Sequence, residues 1–155
     1  MSVITQVYDA LSDVVVTTTG GVTPRAYDLH ELPQSVNTAQ LPCRLLLPVG
    51  NEPGEGREGT FIAVGTSMVI IWTINDLMLW QPINQGLGLK EFAPELVDYA
   101  GKYIDAMRTF GKCPYANTTL ESVSISPGVY EWPASSGVNY AGVMCQLQIR
   151  EALSG

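Results

Sequence analysis

The stretch from Ser67 to Trp80 constrains the fold of this chain more than any other segment. Its only charged residue is Asp76, and apolar and β-branched side chains make up most of the rest. It is too short and too polar to span a bilayer, which needs about 20 consecutive apolar residues. The composition therefore predicts a β-strand, with a bend or bulge near Asn75 and Asp76 because of its length. A preceding strand is predicted from Thr60 to Gly65.

A long amphipathic helix follows the turn at Gly86-Leu-Gly88. Its apolar positions recur every three or four residues and predict one buried face: Leu89, Phe92, Leu96, Ala100, Tyr103, Met107 and Phe110. Pro94 and Glu95 suit a first helical turn, and Gly111 suits the stop. Gly101 costs about 1 kcal/mol relative to alanine inside a helix, so it predicts close packing against another backbone.

The first third of the chain predicts shorter elements. A helix opens the chain from Val3 to Leu11, and the β-branched run Val14 to Thr19 predicts a strand that ends at Gly20-Gly21. The long irregular segment 22–42 is a plausible assembly segment. A short strand from Cys43 to Leu47 lies between two prolines, and the glycine- and glutamate-rich residues 50–59 predict a flexible loop.

The last third alternates between apolar and polar residues, as strands with one wet face do. One alternating run surrounds Val123 and Ile125, and the other runs from Val143 to Ile149. Turns are predicted at Pro127-Gly128 and at 133–137. The element order predicts an α+β fold with two helices packed on a mainly antiparallel sheet. Without an internal repeat or a boundary, residues 1–155 are predicted to form one domain.

Charge is sparse and acidic in this chain. Charged residues make up 15% of it, and eight Lys and Arg against fifteen Asp and Glu give a net charge of −7. An ordinary soluble domain carries about 25% charged residues, so the low value favours self-association. Because there is no basic run, strong binding to a phosphate backbone is not expected. An acidic surface instead suits a protein past which DNA slides without sticking.

The chain contains no recognisable catalytic constellation. Its only histidine, His30, has no nucleophile elbow near it, and a solvated loop histidine is the simpler interpretation. The glycine-rich turns match neither a P-loop nor a dinucleotide-binding loop. We therefore expect no enzyme activity and no cofactor.

No metal site is expected either. Cys43, Cys113 and Cys145 lack the paired spacing of a zinc site and are predicted to be ordinary buried thiols. The glutamates of residues 50–59 lack the alternating ligands of a calcium loop. The first residues do not match a signal peptide, so synthesis in a reducing cytoplasm is expected.

Aromatic and loop residues are the candidates for an assembly interface. Trp72 lies among apolar neighbours, and a core position is favoured for it. Trp80 and Trp132 lie where strands end, and for these two both a core position and an interface position stay open. The candidate interface residues are Glu52, Glu55, Arg57, Glu58, Trp80 and Trp132.

The order of elements resembles that of the tail terminator proteins of long-tailed bacteriophages, and more loosely that of neck and tail-completion subunits. The features that carry the likeness are the helix Val3 to Leu11, the strand Leu41-Pro-Cys-Arg-Leu-Leu-Leu, the meander ending in Asp76-Leu-Met-Leu-Trp80, the helix to Phe110 and the closing strand Tyr140-Ala-Gly-Val-Met-Cys-Gln-Leu-Gln-Ile-Arg. The likeness covers most of the chain and lies in the pattern of elements.

The resemblance implies a structural virion subunit. Copies of it would form a ring, commonly a homohexamer, that caps the tail tube and joins it to the head-tail connector or neck protein. DNA would pass through the lumen without sequence-specific binding, and no membrane would be involved. The flexible loop 50–59 would be a candidate to order against the tube or a neighbouring copy.

Other functions stay open from the sequence. Within the virion, a head-tail adaptor or a tail tube protein has a similar pattern. Outside it, a small-molecule binding module would use the tryptophan and tyrosine surface, and a hydrolase or transferase would have to be centred on His30.

Overall fold

A computed structural model describes residues 2–48, 60–64, 67–83, 88–110, 115 and 117–154. Its helices are α1 (Ile4–Ser12) and α2 (Gly88–Phe110). Its strands are β1 (Arg25–Tyr27), β2 (Cys43–Pro48), β3 (Thr60–Val64), β4 (Ser67–Pro82), β5 (Thr118–Glu131) and β6 (Asn139–Ser154). A short 3-10 helix covers Thr38–Gln40.

The six strands form one sheet. Five of them lie in the order β1-β2-β4-β6-β5, and β3 pairs with β4 beyond the end of β2. β2 pairs with the second half of β4 and β3 with its first half, while β6 occupies the other side of β4 along nearly its full length. The short β1 is parallel to β2, and every other pair is antiparallel.

Both helices pack on the same face of this sheet. The side chains buried there come from α1, α2 and the facing strands: Val7, Tyr8, Leu11, Leu46, Ile74, Met78, Leu96, Tyr99, Tyr103, Met107, Phe110, Val143, Cys145, Leu147 and Ile149. Apolar side chains at three- and four-residue spacing put one face of each helix on the sheet. The predicted α+β class, with two helices on a mainly antiparallel sheet, is confirmed.

The opposite face of the sheet carries a second, smaller core. It consists of Tyr27, Cys43, Leu45, Leu47, Leu77, Leu79, Trp132 and Tyr140. Leu32, Val36 and Leu41 pack against it from the segment between β1 and β2. Most of segment 22–42 is irregular, as predicted. Part of it covers one end of the sheet.

The predicted strand from Val14 to Thr19 is wrong. These residues leave α1 without pairing to the sheet, and Val16 and Thr18 are buried in loop conformation. β-branched residues favour an extended backbone, but a strand also needs a hydrogen-bonding neighbour. The turn at Gly20-Gly21 is present, and within it the Thr18 N–H donates to the Val22 carbonyl at 2.9 Å.

The irregularity in β4 lies further along than predicted. Asn75 and Asp76 stay in register with β6, and the register shifts between Leu79 and Gln81 instead. Near that shift Gly142 of β6 lies so close to the carbonyl oxygen of Met78 that a Cβ would not fit. The position of the bulge therefore depends on close contact between strands that are distant in sequence.

One prediction about α2 is wrong, and a second finds no partner among the described residues. The helix begins at Gly88, so Pro94 lies inside it and not in its first turn. Gly101 is exposed, and a Cβ built there meets no atom within 4 Å, so no described part of the chain packs closely against it. Gly111, the predicted stop, lies outside the described residues.

β5 runs straight through the predicted turn at Pro127-Gly128. Pro127 pairs with Val143 and Gly128 with Gly142, so the residues on both sides of the predicted turn form one strand of 14 residues. The turn at 133–137 is confirmed, because it connects β5 to β6. There the Trp132 N–H donates to the carbonyl of Val138 at 3.1 Å.

Candidate functional site

The predicted interface residues fall into two groups. Glu52, Glu55, Arg57 and Glu58 lie outside the described residues. Trp80 is 9% exposed in the helix-covered core, and Trp132 is 8% exposed in the opposite core. Each tryptophan packs mainly against its own chain, and little of either side chain remains for a neighbour.

His30 and the cysteines show no sign of activation. His30 is exposed in a turn, where its backbone N–H donates to the Asp28 carboxylate at 2.8 Å. Cys43 and Cys145 are free and fully buried, and burial raises the pKa of the Cys43 thiol to about 12. Burial also raises the pKa of Cys145. Both thiols therefore stay protonated at neutral pH, whereas a cysteine nucleophile needs a thiolate. Cys113 lies outside the described residues.

A buried ion pair joins β2 to β4 on the helix-covered face. Arg44 and Asp76 are 1% and 0% exposed, and Nη2 of the arginine lies 2.6 Å from Oδ2 of the aspartate. A second contact links Arg44 Nε to Asp76 Oδ1 at 3.3 Å, which makes the pair bidentate. The Tyr103 hydroxyl of α2 donates to the same carboxylate at 2.9 Å. Strand β4 is thus tied to both its neighbouring strand and the helix above it.

The same arginine holds the end of α1. Arg44 Nη1 donates to the Val14 carbonyl at 2.6 Å, and Nη2 donates to the Leu11 carbonyl at 3.3 Å. Carbonyl groups at a helix C-terminus lack helical partners and carry partial negative charge. Burial alone would lower the pKa of Arg44, but the Asp76 carboxylate raises it above its ordinary value. The guanidinium therefore stays charged and caps α1.

A second buried charge holds the other end of α1. Glu151 of β6 is 2% exposed and accepts a hydrogen bond from the backbone N–H of Val3 at 2.7 Å. It also accepts hydrogen bonds from the Ser2 hydroxyl at 2.8 Å and from Trp72 Nε1 at 3.1 Å. An anion at a helix N-terminus complements the helix dipole. Glu151 and Arg44 thus anchor the two ends of α1 with opposite charges.

Sequence reasoning missed this network, although a signal for it was present. Arg44 stands alone among Cys43 and three leucines, and Asp76 stands alone in an apolar strand. A lone charge in such a strand is costly unless it is paired. Two lone charges of opposite sign in separate strands therefore point to each other. The network is closed to solvent, so it fixes how these elements fit together and offers no route for a substrate.

An open groove of described residues lies beside Trp80. It is formed by the turn after α1, the end of β4 and one side of α2, and its lining is Thr18, Thr19, Gly20, Val22, Trp80, Pro94, Glu95 and Asp98. Asp98 accepts hydrogen bonds from the Thr19 N–H and hydroxyl at 2.8 and 2.6 Å, and these bonds lower its pKa. The lining thus includes two carboxylates, Glu95 and Asp98, and the small part of Trp80 that stays exposed.

One half of the uncovered sheet face is polar but uncharged. Its exposed side chains are Ser122, Ser124, Ser126, Gln146 and Gln148. At one end, Arg150 and Glu121 approach each other at 3.7 Å, with both side chains almost half exposed. This surface offers many weak hydrogen-bonding groups and little charge.

Comparison with known proteins does not identify a relative. Neither a scan against family models nor a search of curated proteins finds a match to this sequence. Among the residues that the structure describes, no group of three His, Cys, Asp or Glu side chains is arranged to hold a metal ion. No helix in the described ranges is long and apolar enough to cross a membrane.

Proposed function

We propose that this chain is a structural virion subunit, a tail terminator of a long-tailed bacteriophage. Copies of it would form a ring that caps the tail tube and joins it to the head-tail connector. The observation that carries the proposal is the order of its elements, which resembles that family along most of the chain. The fold has the α+β class that the resemblance implies, with both helices on one face of the sheet.

The distribution of charge supports the same proposal. A ring through which DNA passes must not bind the phosphate backbone, because bound cations would hold the DNA in place. The chain has a net charge of −7, and its open polar sheet face carries hydroxyl and amide groups. Such a surface fits a lumen wall, since it is hydrated without attracting phosphate.

The chemistry of the described residues also supports a structural role. Arg44 and Asp76 are fully buried, and the buried thiols are protonated. His30 is exposed, and among the described residues its side chain has no hydrogen-bonding partner. General acid-base or nucleophilic catalysis requires a titratable group beside an accessible reacting atom. A His30→Ala variant is therefore expected to assemble as the unchanged chain does.

The first experiment measures assembly. Purified chain is examined by light scattering and negative-stain electron microscopy, alone and with tail tube protein. The proposal expects closed rings that bind one end of a tube and stop its growth. Rings that stack into tubes by themselves would indicate a tube protein. A particle that stays monomeric at high concentration in both conditions would contradict the proposal.

A small-molecule binding module is the second candidate, and the groove beside Trp80 favours it. The carboxylates of Glu95 and Asp98 in its lining would suit a small cationic ligand. A thermal-shift screen of amines and guanidinium compounds tests this, because a ligand that binds only the folded chain raises the melting temperature. A rise in melting temperature that is lost in Glu95→Gln would support the binding module. If no compound raises the melting temperature, this candidate function is contradicted.

A further inference from the structure

Gly101 has no structural role inside the described chain. It lies near the middle of α2, where glycine costs about 1 kcal/mol relative to alanine. A Cβ at this position would meet no atom within 4 Å, and the backbone of the helix needs no left-handed residue there. A glycine inside a helix usually allows another backbone to approach. In this chain the approach is open from outside.

The residues on either side of Gly101 are exposed and apolar. Val97 is 64% exposed and Ile104 is 50% exposed, and they lie four residues before and three residues after the glycine. That spacing puts all three on one side of the helix. Pro94 and Arg108 continue the same line at both ends and are exposed as well. We call these five residues the Gly101 stripe; their alternating spacing of three and four is that of a seam between two helices.

We propose that a second copy of this chain packs its α2 antiparallel across the Gly101 stripe, so that the two helices cross at Gly101. Val97 of each copy would then contact Ile104 of the other. The missing Cβ lets the helix axes come closer than the 8–10 Å that is usual for packed helices. The contact is isologous, because the same stripe is used by both copies.

The charges on α2 select the antiparallel orientation. Before Gly101 the helix carries Lys90, Glu91, Glu95 and Asp98, and after it Lys102, Asp105 and Arg108. The first half has one positive and three negative charges, or −2, and the second half has two positive and one negative, or +1. An antiparallel crossing places each first half against the partner's second half. A parallel crossing would place like charge against like charge, which is unfavourable.

The surface beside the stripe can receive the second helix. A shallow groove between α2 and β5 is lined by Ile104, Met107, Arg108, Leu120 and Val123. It lies next to Ile104 and is almost entirely apolar, so it suits the side chain of the partner's Val97. One helix crossing buries less than the roughly 800 Å² per partner of a standard interface. The dimer is therefore weak and depends on concentration.

This contact is separate from the proposed ring. A two-fold contact relates two identical patches, whereas a ring needs head-to-tail contacts between different patches. Loss of one therefore leaves the other intact, and the two proposals can fail independently.

Sedimentation velocity of the full chain, from micromolar to millimolar concentration, tests the dimer. Gly101→Leu should fold normally, because the position is open, but should remain monomeric. Gly101→Ala should raise the melting temperature of the monomer while it weakens the dimer several-fold, and a purely structural glycine would not give this opposite pair of effects. Thr109→Leu places the same leucine side chain at an exposed position of α2 outside the stripe and should leave the dimer unchanged.

Charge reversal tests the orientation. Arg108→Glu and Glu91→Arg should each weaken the dimer several-fold, and an equal mixture of the two variants should restore it, because every reversed charge then meets its opposite. Single variants that dimerise as tightly as the unchanged chain would indicate a parallel arrangement, in which like charges face each other before and after each reversal, and would overturn the proposal. A chain that is monomeric throughout the concentration range, or a dimer that survives Gly101→Leu, would also overturn it.

Discussion

Arg44 makes four hydrogen bonds from a fully buried position, two to Asp76 and two to carbonyl groups at the end of α1. Buried ion pairs contribute little net stability when they are compared with well-packed apolar residues. Removing one partner is different, because the other charge stays buried without compensation. The pair therefore specifies how β2, β4 and α1 fit together more than it adds stability.

Replacement of Asp76 by alanine is expected to destabilise the chain by about 3–5 kcal/mol, since it leaves the Arg44 guanidinium buried and unpaired. The double change Arg44→Met with Asp76→Leu should recover only part of this loss. The Val14 carbonyl then loses the Arg44 donor, and the Leu11 carbonyl keeps only its hydrogen bond from the Val14 N–H. Urea unfolding measures both. As a control, Glu121→Gln breaks the exposed pair with Arg150 and should cost less than about 1 kcal/mol. Equal losses of unfolding free energy in Asp76→Ala and Glu121→Gln would contradict this prediction.

The buried Cys43 thiol predicts a loss of stability at high pH. Burial raises its pKa from 9.0 to about 12, so the folded chain keeps the proton in a range where the unfolded chain loses it. The contribution is fully present below pH 9 and is lost as the pH rises towards 12. When the pH is raised from about 8 to about 11, the free energy of unfolding of Cys43→Ala should therefore fall by less than that of the unchanged chain.

Urea unfolding at the two pH values checks the thiol prediction. Val143→Ala serves as a control, because it opens a similar buried space without a titrating group and should lower stability equally at both. If the free energy of unfolding falls equally in Cys43→Ala and in the unchanged chain between the two pH values, the thiol does not titrate as predicted.

At the scale of elements, periodicity was a better guide than the local turn signals. Both helices follow from apolar spacing, as does the strand around Val143 to Ile149. Pro127-Gly128 suggested a turn but lies inside β5, and Val14 to Thr19 suggested a strand but has no neighbour to pair with. Local propensity cannot show whether a partner strand is present, because that partner lies far away in sequence.

β5 forms one outer edge of the sheet, and Pro127 protects it. The Trp132 N–H donates to the Val138 carbonyl, and in an antiparallel pair every second residue bonds to the partner strand. From Ser122 onward the even-numbered residues of β5 therefore bond to β6, and the odd-numbered residues point their N–H and C=O groups away from it. Pro127 is one of these, and proline has no N–H to offer a further strand. Ser122 to Ser126 and Val129 would otherwise present a long edge with few charges.

Pro127→Thr is therefore expected to increase aggregation, because it restores an outward N–H in the middle of this edge. Light scattering during incubation at about 37 °C follows the effect. Val129→Thr is the matched control, since position 129 also faces outward but already has its N–H, and it should leave the aggregation rate unchanged or lower. No difference between the two variants would show that Pro127 does not protect the edge.

At the scale of the whole molecule, the two cores lie on opposite faces of shared strands. Leu46 of β2 and Ile74 of β4 belong to the helix-covered core. Leu45 and Leu77 of the same two strands belong to the opposite core. Because β2 and β4 contribute to both, damage to one face weakens the strands that support the other. This arrangement fits the prediction that residues 1–155 form one domain.

The shared strands predict one cooperative unfolding transition. Leu96→Ala in the helix-covered core and Leu45→Ala in the opposite core should each cost about 2–5 kcal/mol, because both side chains are fully buried. Circular dichroism and tryptophan fluorescence should give the same midpoint for each variant. Two separated transitions, with each variant shifting only one of them, would show that the cores unfold independently.

The sequence by itself determined the α+β class, both helices and most strand positions, because these depend on the spacing of apolar residues along the chain. It also pointed to sparse charge and to ordinary buried thiols, which the structure shows for Cys43 and Cys145. Only the tertiary structure decided that Arg44, Asp76, Glu151 and the ends of α1 belong together, because their contacts join residues far apart in sequence. It also showed that Gly101 lies on the exposed side of α2. A glycine in a helix indicates that something should pack there, but only the fold shows on which side of the molecule that space lies.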